Sequence, residues 1–290
     1  MAVRANFEDI VMISVIGEIT APRKAIAPTP YSVAHDGELL VLPTTGGIVY
    51  NVRVGDRATG WASDHMEPCV TIKHRDEEAN GGLNVLACIG NDAYVVSGDG
   101  KGSRGTVTGK HGGAEHVMVD FSADVLEKLT IGDRIQVRAY GRGLKLLDAP
   151  KVKLLNMSVQ LLRALPLEVA GGVVSVPVAG IVPPELMGSG VGHSAERGDY
   201  DIQTHDREVL AAHGLERLRL GDLVAVRDQD HSFGRGFRTG GWVIASVSHS
   251  DSFIAGHGPG VMTLMSSVSG KINPVIAPSR ANIADLLQLR

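Results

Sequence analysis

The chemistry-bearing residues concentrate between Asp228 and Gly260. This stretch holds His231, His249 and His257 together with Asp228, Asp230 and Asp251, set among glycines, with one apolar run from Trp242 to Val247. Six of the eleven histidines follow residue 190: His193, His205, His213, His231, His249 and His257. Carboxylates flank several of them. Asp199 and Asp201 precede His205-Asp206, Asp228 and Asp230 precede His231, and Asp251 follows His249. Neutral imidazole with carboxylate is the donor set of zinc, iron, nickel or manganese. A hydrolytic centre adds an open coordination position and a nearby carboxylate base. The expectation is a divalent metal, its identity open, held by Asp228, Asp230, His231, His249 and His257, with Asp199 or Asp201 as general base. None of the spacings is an established signature such as His-Glu-x-x-His. The competing reading is that these side chains only cap turns or face solvent.

A second polar constellation lies at Ser97–Gly105 and Gly109–Gly113. Glycines let backbone amides approach an anion, and Lys101, Arg104, Lys110 and His111 supply charge. It is not a Walker loop, because no hydroxyl follows either lysine. A serine nucleophile at His193-Ser194-Ala195 lacks the elbow glycine pattern. Cys69 and Cys88 have no activating neighbour in sequence and read as small buried hydrophobes.

These residues need strands to hold them. The 290-residue chain is 43% hydrophobic but only 4% aromatic, so its core is built from Val, Ile, Leu and Ala. Its 36 glycines fit many turns between short strands. The pattern predicts strands at Val85–Ile89, Ala93–Ser97, Gly105–Thr108, His116–Phe121 and Arg134–Ala139, with a short helix capped by Ser122. Five strands with a helix before the last fit a small OB- or SH3-like barrel. Upstream, Ile10–Ile19, Leu39–Leu42 and Ile48–Val54 read as strands, Ala21–Pro30 as an extended proline connector, and Trp61–Gly82 as irregular. Beyond residue 150, helices are expected at Met157–Leu165, from Asp206 to Ala212, and after Ser279. Strands are expected at Val173–Val178, Leu218–Val226 and Trp242–Ser248. The fold class is α+β and β-dominated: an N-terminal OB-like small barrel over residues 1–150, then a C-terminal mixed β-sheet domain with short helices over 151–290.

A net charge of −4, from 28 basic and 32 acidic residues, disfavours RNA as a partner. No window is apolar enough to span a membrane, and the N-terminus lacks a signal-peptide pattern. The chain reads as cytoplasmic, with no membrane partner, and as a homo-oligomer by its glycine-rich β character.

Three strings carry a resemblance: GDGKGSRGTVTGKHGGAEHVMVDF, MGSGVGHSAERGDYDIQ, and DQDHSFGRG with SDSFIAGHGPGV. They resemble a prokaryotic domain-of-unknown-function family, numbered 4438. The resemblance implies an OB-fold-like N-terminal part and a separate C-terminal domain, and no activity. Val95–Lys110 is similar to the KOW motif of ribosomal and elongation proteins. A weaker likeness is to the acetamidase/formamidase family of metal-associated amide hydrolases, carried by Asp201, Asp230 and His231. Phe237 stands where that family has glutamate. The function expected is a metal-dependent hydrolase or lyase acting on a small polar, amide-like molecule. The alternative is a nucleic-acid- or ligand-binding module built on a KOW/OB-like barrel, without catalysis.

Overall fold

The computed structural model describes residues 3–23 and 31–289. Most of the expected proline connector at 21–30 lies outside the described residues.

Alternation of Ile135, Val137 and Ala139 with Arg134, Gln136 and Arg138 makes a strand with one buried face. That strand belongs to a closed six-stranded barrel. In chain order the strands are β1 (Met12–Ile19), the small ribbon β2 (Ser32–Val33) and β3 (Leu39–Leu40) outside the barrel, β4 (Val70–Lys73), β5 (Asp92–Val95), β6 (Arg104–His111), β7 (His116–Asp120) and β8 (Arg134–Tyr140). The barrel order is β1-β4-β7-β6-β5-β8, and every pairing is antiparallel. β8 closes on β1 from Met12↔Tyr140 to Glu18↔Arg134. Ile19, Val70, Ile72, Val107, Val119, Ile135 and Val137 fill the interior.

The expected strand at Val85–Ile89 is instead the end of helix α1 (Glu77–Leu86). Asp76 caps this helix by accepting from the Ala79 amide, which fixes helical geometry against the β preference of Val85. Two strands enter that local pattern did not assign to the barrel: β1, read as a strand upstream of it, and β4, inside a segment read as irregular. Ile48–Val54 forms only an isolated bridge, Ile48↔Val70. The short helix α2 (Ala123–Leu126) follows Ser122, whose side chain makes no cap bond.

The second half continues with β9 (Lys153–Leu154), helix α3 (Val159–Ala164), β10 (Glu168–Ala170), β11 (Val173–Val178), β12 (Gly180–Val182), β13 (Tyr200–Asp201), helix α4 (Arg207–Ala212), β14 (Leu223–Asp230), β15 (Gly236–Val247), β16 (Gly260–Ser267), β17 (Ile272–Ile276) and helix α5 (Ile283–Leu286). The main sheet has the order β12-β14-β15-β16-β13, with β9 also paired to β16. A three-stranded sheet, β10-β11-β17, packs into the same core. β12 with β14 and β11 with β17 are parallel, so the sheets are mixed. Asp206 caps α4 through the Val209 amide, and Gly214 follows in the left-handed region. The last helix is capped by Asn282 rather than Ser279, which lies in a preceding 3₁₀ turn. No helix among the described residues is long and apolar enough to cross a membrane.

The halves meet where β6 leaves the barrel. Gly112 lies against Gly198, and a methyl group on either would press on the other's backbone. The Gly112 amide donates to Asp199 Oδ1 at 2.7 Å. This contact sets the end of β6 beside β13.

Candidate metal centre

β13 determines which side chains converge. Successive strand residues face opposite sides. Asp199 and Asp201 therefore point together, while Tyr200 turns the other way into the core. The neighbouring strand β16 begins at Gly260, paired with Asp201. A methyl group at Gly260 would overlap both Asp199 Oδ2 and His249 Nε2, so only glycine leaves room for those two side chains.

His249 follows the end of β15 and is completely buried. Its Nδ1 donates to the Ser250 carbonyl at 2.9 Å. Its Nε2 lies 2.8 Å from Asp199 Oδ2 and 3.6 Å from Asp201 Oδ1, but has no hydrogen-bond partner. Burial opposes a charge on this ring, yet the adjacent Asp199 and Asp201 carboxylates hold its pKa well above the usual histidine value. Burial likewise opposes the charge on Asp201, but the adjacent His249, His257 and His65 rings pull its pKa well below the usual range.

The barrel contributes the rest. His65 precedes β4 with a left-handed φ of 55°, an unusual backbone state for a non-glycine residue. Its Nδ1 lies 3.1 Å from Asp64 Oδ1, and Asp64 also accepts from Ser252 Oγ at 2.7 Å. Burial would raise the Asp64 pKa, but His65 and Ser252 lower it, so Asp64 is the acceptor and His65 Nδ1 the donor. Burial opposes a charge on His65, yet Asp201 and Asp64 raise its pKa; in the neutral ring, with Nδ1 donating to Asp64, the Nε2 lone pair faces inward. That atom lies 2.9 Å from His257 Nδ1 and 3.7 Å from Asp201 Oδ2. His257, on the loop between β15 and β16, places Nδ1 2.9 Å from Asp201 Oδ2.

Behind these donors sits Glu67, fully buried. It accepts from His111 Nδ1 at 2.6 Å, His116 Nδ1 at 3.0 Å, the Gly46 amide at 2.8 Å and Thr71 Oγ1 at 2.7 Å. Burial would raise its pKa, but the two histidines bring it well below the usual value. The His111 ring stacks on His249 at 4.1 Å between centroids. Burial, reinforced by the charge on His249, lowers the His111 pKa despite Glu67.

Two donor groups result, His65 with Asp201 and His257, and Asp199 with Asp201 and His249. Within each group all donor atoms lie within 4.8 Å of one another. A cavity of about 290 Å³ opens onto them, lined by His65, His111, Asp199, Asp201 and His257 and by the polar residues Arg23, Thr45, Ser189 and His193.

Of the expected site residues, Asp199, Asp201, His249 and His257 are brought together. Asp228, Asp230 and His231 lie elsewhere. Asp228 sits with φ 55° at a bulge in β14 and accepts from the Gly240 amide. Asp230 accepts from Ser266 Oγ and the Ser232 amide. His231 is buried against the Tyr200 ring, on the face of β13 away from the two aspartates, with Nδ1 2.8 Å from Thr263 Oγ1. Burial and the Arg235 charge push its pKa down to about 3, so it is a neutral core residue.

The basic set is dispersed too. Lys101 is exposed on the β5–β6 turn, and Arg104 is paired with Asp92 at 2.6 Å. Lys110 is completely buried, donating to Asn156 Oδ1 at 2.8 Å and the Glu196 carbonyl at 2.7 Å, and burial brings its pKa well below the usual lysine value. His111 alone of the four joins the His/Asp cluster.

Sequence reasoning missed His65, Glu67 and His116. A signal was present: Asp64-His65-Met66-Glu67 brackets an imidazole with carboxylates, as the segments after residue 190 do.

Comparison with known proteins adds kinship. A family profile described as "Domain of unknown function (DUF4438), N-terminal" matches residues 31–163, and its C-terminal counterpart matches residues 164–287. A crystal structure of TM1086 is similar with a TM-score of 0.91 and 45% sequence identity, covering 98% of this chain and 99% of that one. No curated protein matches.

Proposed function

Since the chain belongs to the DUF4438 family, whose description names no activity, we propose that the His/Asp cluster is a divalent-metal centre used for hydrolysis or lyase chemistry on a small polar molecule. One observation carries this reading. His249 Nε2 is wholly buried, faces two carboxylates and has no hydrogen-bond partner. A buried polar atom left in that state is costly unless another group satisfies it. A cation bound to His249, Asp199 and Asp201 would satisfy all three at once.

The donor chemistry supports the same conclusion. Imidazole and carboxylate without thiolate suits zinc, manganese, iron or nickel. The hydrogen bonds from Nδ1 of His249 to Ser250 and of His65 to Asp64 fix the tautomers that leave Nε2 as ligand. A bound divalent ion would polarise a substrate oxygen or lower the pKa of a water. In this reading Asp199 and Asp201 act as ligands as well as acidic groups. His111, braced by Glu67 and stacked on His249, is placed to move a proton at the cavity wall. The small polar cavity suits a low-molecular-weight substrate, and small amides are the first class to assay.

The test starts from chelator-treated protein titrated with Zn²⁺ and Mn²⁺ while thermal stability is followed. Saturable stabilisation that disappears in His249→Ala supports the centre. No binding of either ion to the wild type sinks it. Hydrolysis of a small-amide panel by loaded protein, lost in His111→Ala, supports the catalytic half. Metal binding with no turnover of amides, esters or lyase substrates would leave a metal-binding protein and refute catalysis.

A further inference from the structure

We propose that a second divalent ion binds between His65, His257 and Asp201, with Asp201 bridging it to the ion at Asp199 and His249. This rests on the metal reading above and concerns how many ions the centre takes.

The geometry divides the donors. Bonds of about 2.0–2.2 Å at angles between octahedral and tetrahedral separate neighbouring ligand atoms by about 2.8–3.6 Å. In the inner set, His249 Nε2 is 2.8 Å from Asp199 Oδ2 and 3.6 Å from Asp201 Oδ1. In the outer set, His257 Nδ1 is 2.9 Å from both His65 Nε2 and Asp201 Oδ2, and the remaining edge, His65 to Asp201, is 3.7 Å. The outer set's edges and the two inner edges at His249 thus lie at or near the spacing of a coordination polyhedron, and the remaining inner edge, Asp199 to Asp201, is within 4.8 Å. One ion serving all five residues would require every donor atom within about 4.4 Å of every other, twice a bond length. Instead the donors fall into two groups of three that share Asp201 alone. Asp201 turns one oxygen to each group, Oδ1 toward His249 and Oδ2 toward His65 and His257. A carboxylate used in this way suits the ~3.5–4 Å spacing of two-metal hydrolytic sites.

The two positions differ in access. His65, Asp201 and His257 line the cavity together with Asp199, whereas His249 does not. All three ligands of the outer position therefore face the cavity, while the inner position has its histidine set back in the protein. The barrel holds His65 in a left-handed backbone conformation, anchored by its amide to the Asp251 carbonyl at 3.0 Å, which keeps its ring at the mouth of the site. The outer ion is thus supplied jointly by the barrel and the C-terminal half.

Metal-free full-length protein is titrated with Mn²⁺ by calorimetry, with elemental analysis of the gel-filtered product and electron paramagnetic resonance of the loaded form. Two equivalents per chain and a spin-coupled manganese signal are expected. His257→Ala should retain one equivalent and give an uncoupled six-line signal. A single uncoupled equivalent in wild type overturns the second ion and leaves the metal reading intact. Absence of any binding overturns both. The wild-type stoichiometry and signal decide the matter even if the variant does not fold.

Discussion

His249 Nε2 and Asp199 Oδ2 stand 2.8 Å apart in a fully buried setting, and no hydrogen bond joins them. Gly260 makes the approach sterically possible, and the Ser250 carbonyl fixes the ring from its other nitrogen. A proton or a metal ion must compensate the carboxylates on this side of the ring. Much of the behaviour expected of this protein follows from which of them does so.

Asp64 tests the orientation of His65. Its carboxylate holds Nδ1 and turns Nε2 toward His257 and Asp201. Asp64→Asn should weaken metal binding by about 10–100-fold, the usual effect of removing an outer hydrogen-bond partner of a ligand. Calorimetric titration checks this, and unchanged affinity would show that His65 is not a ligand.

Gly260→Ala separates the site from the fold. The added methyl overlaps Asp199 Oδ2 and His249 Nε2, both side-chain atoms of the centre. Metal binding should be lost while circular dichroism retains the β signature. Stability should fall by about 1–3 kcal/mol, typical of overpacking a buried position. Retained affinity would mean that this pair can move apart without consequence.

Glu67→Gln removes a buried charge that accepts from His111, His116, the Gly46 amide and Thr71. The amide offers one acceptor oxygen where the carboxylate offered two, so part of this buried hydrogen-bond network is left unsatisfied. A loss of about 1–3 kcal/mol is expected, as for other buried polar groups left without a partner. Urea denaturation measures it. A loss below ~1 kcal/mol would show that Glu67 is not the hub joining these segments.

His231 sets part of the acid sensitivity. Its folded pKa, about 3, lies below its ordinary 6.5 because burial and Arg235 disfavour the imidazolium. Between those pH values the unfolded chain binds the proton and the folded chain does not. Stability therefore falls with acidification, by about 1.4 kcal/mol per pH unit below ~6.5 until about pH 3, and this residue adds no pH dependence above that window. His231→Gln should show a shallower loss between pH 6 and 4 than wild type, whatever its stability at neutral pH. Parallel curves would contradict the buried neutral assignment.

Period-two alternation identified β8, and β-rich or apolar runs identified β7 and β15, because each signal is carried by residues adjacent in sequence. Barrel closure by β1 and β4 was not legible, since it depends on pairing Met12–Glu18 with Arg134–Tyr140, more than a hundred residues away. Val85 shows the opposite failure. A β-branched residue in an apolar run was overruled by the Asp76 cap and by tertiary packing of Leu83 in the barrel core.

The sequence by itself determined which kinds of donor this chain carries, and that Asp199, Asp201, His249 and His257 lie on short segments near strand ends. Only the tertiary structure decided that His231 faces the side of β13 away from the two aspartates, where Tyr200 encloses it, and that His65 and His111 cross from the barrel to complete the cluster. The physical reason is that ligand geometry is a relation between distant backbones. It is set here by the close approach of Gly112 to Gly198 and by the space left at Gly260, neither of which local sequence pattern encodes.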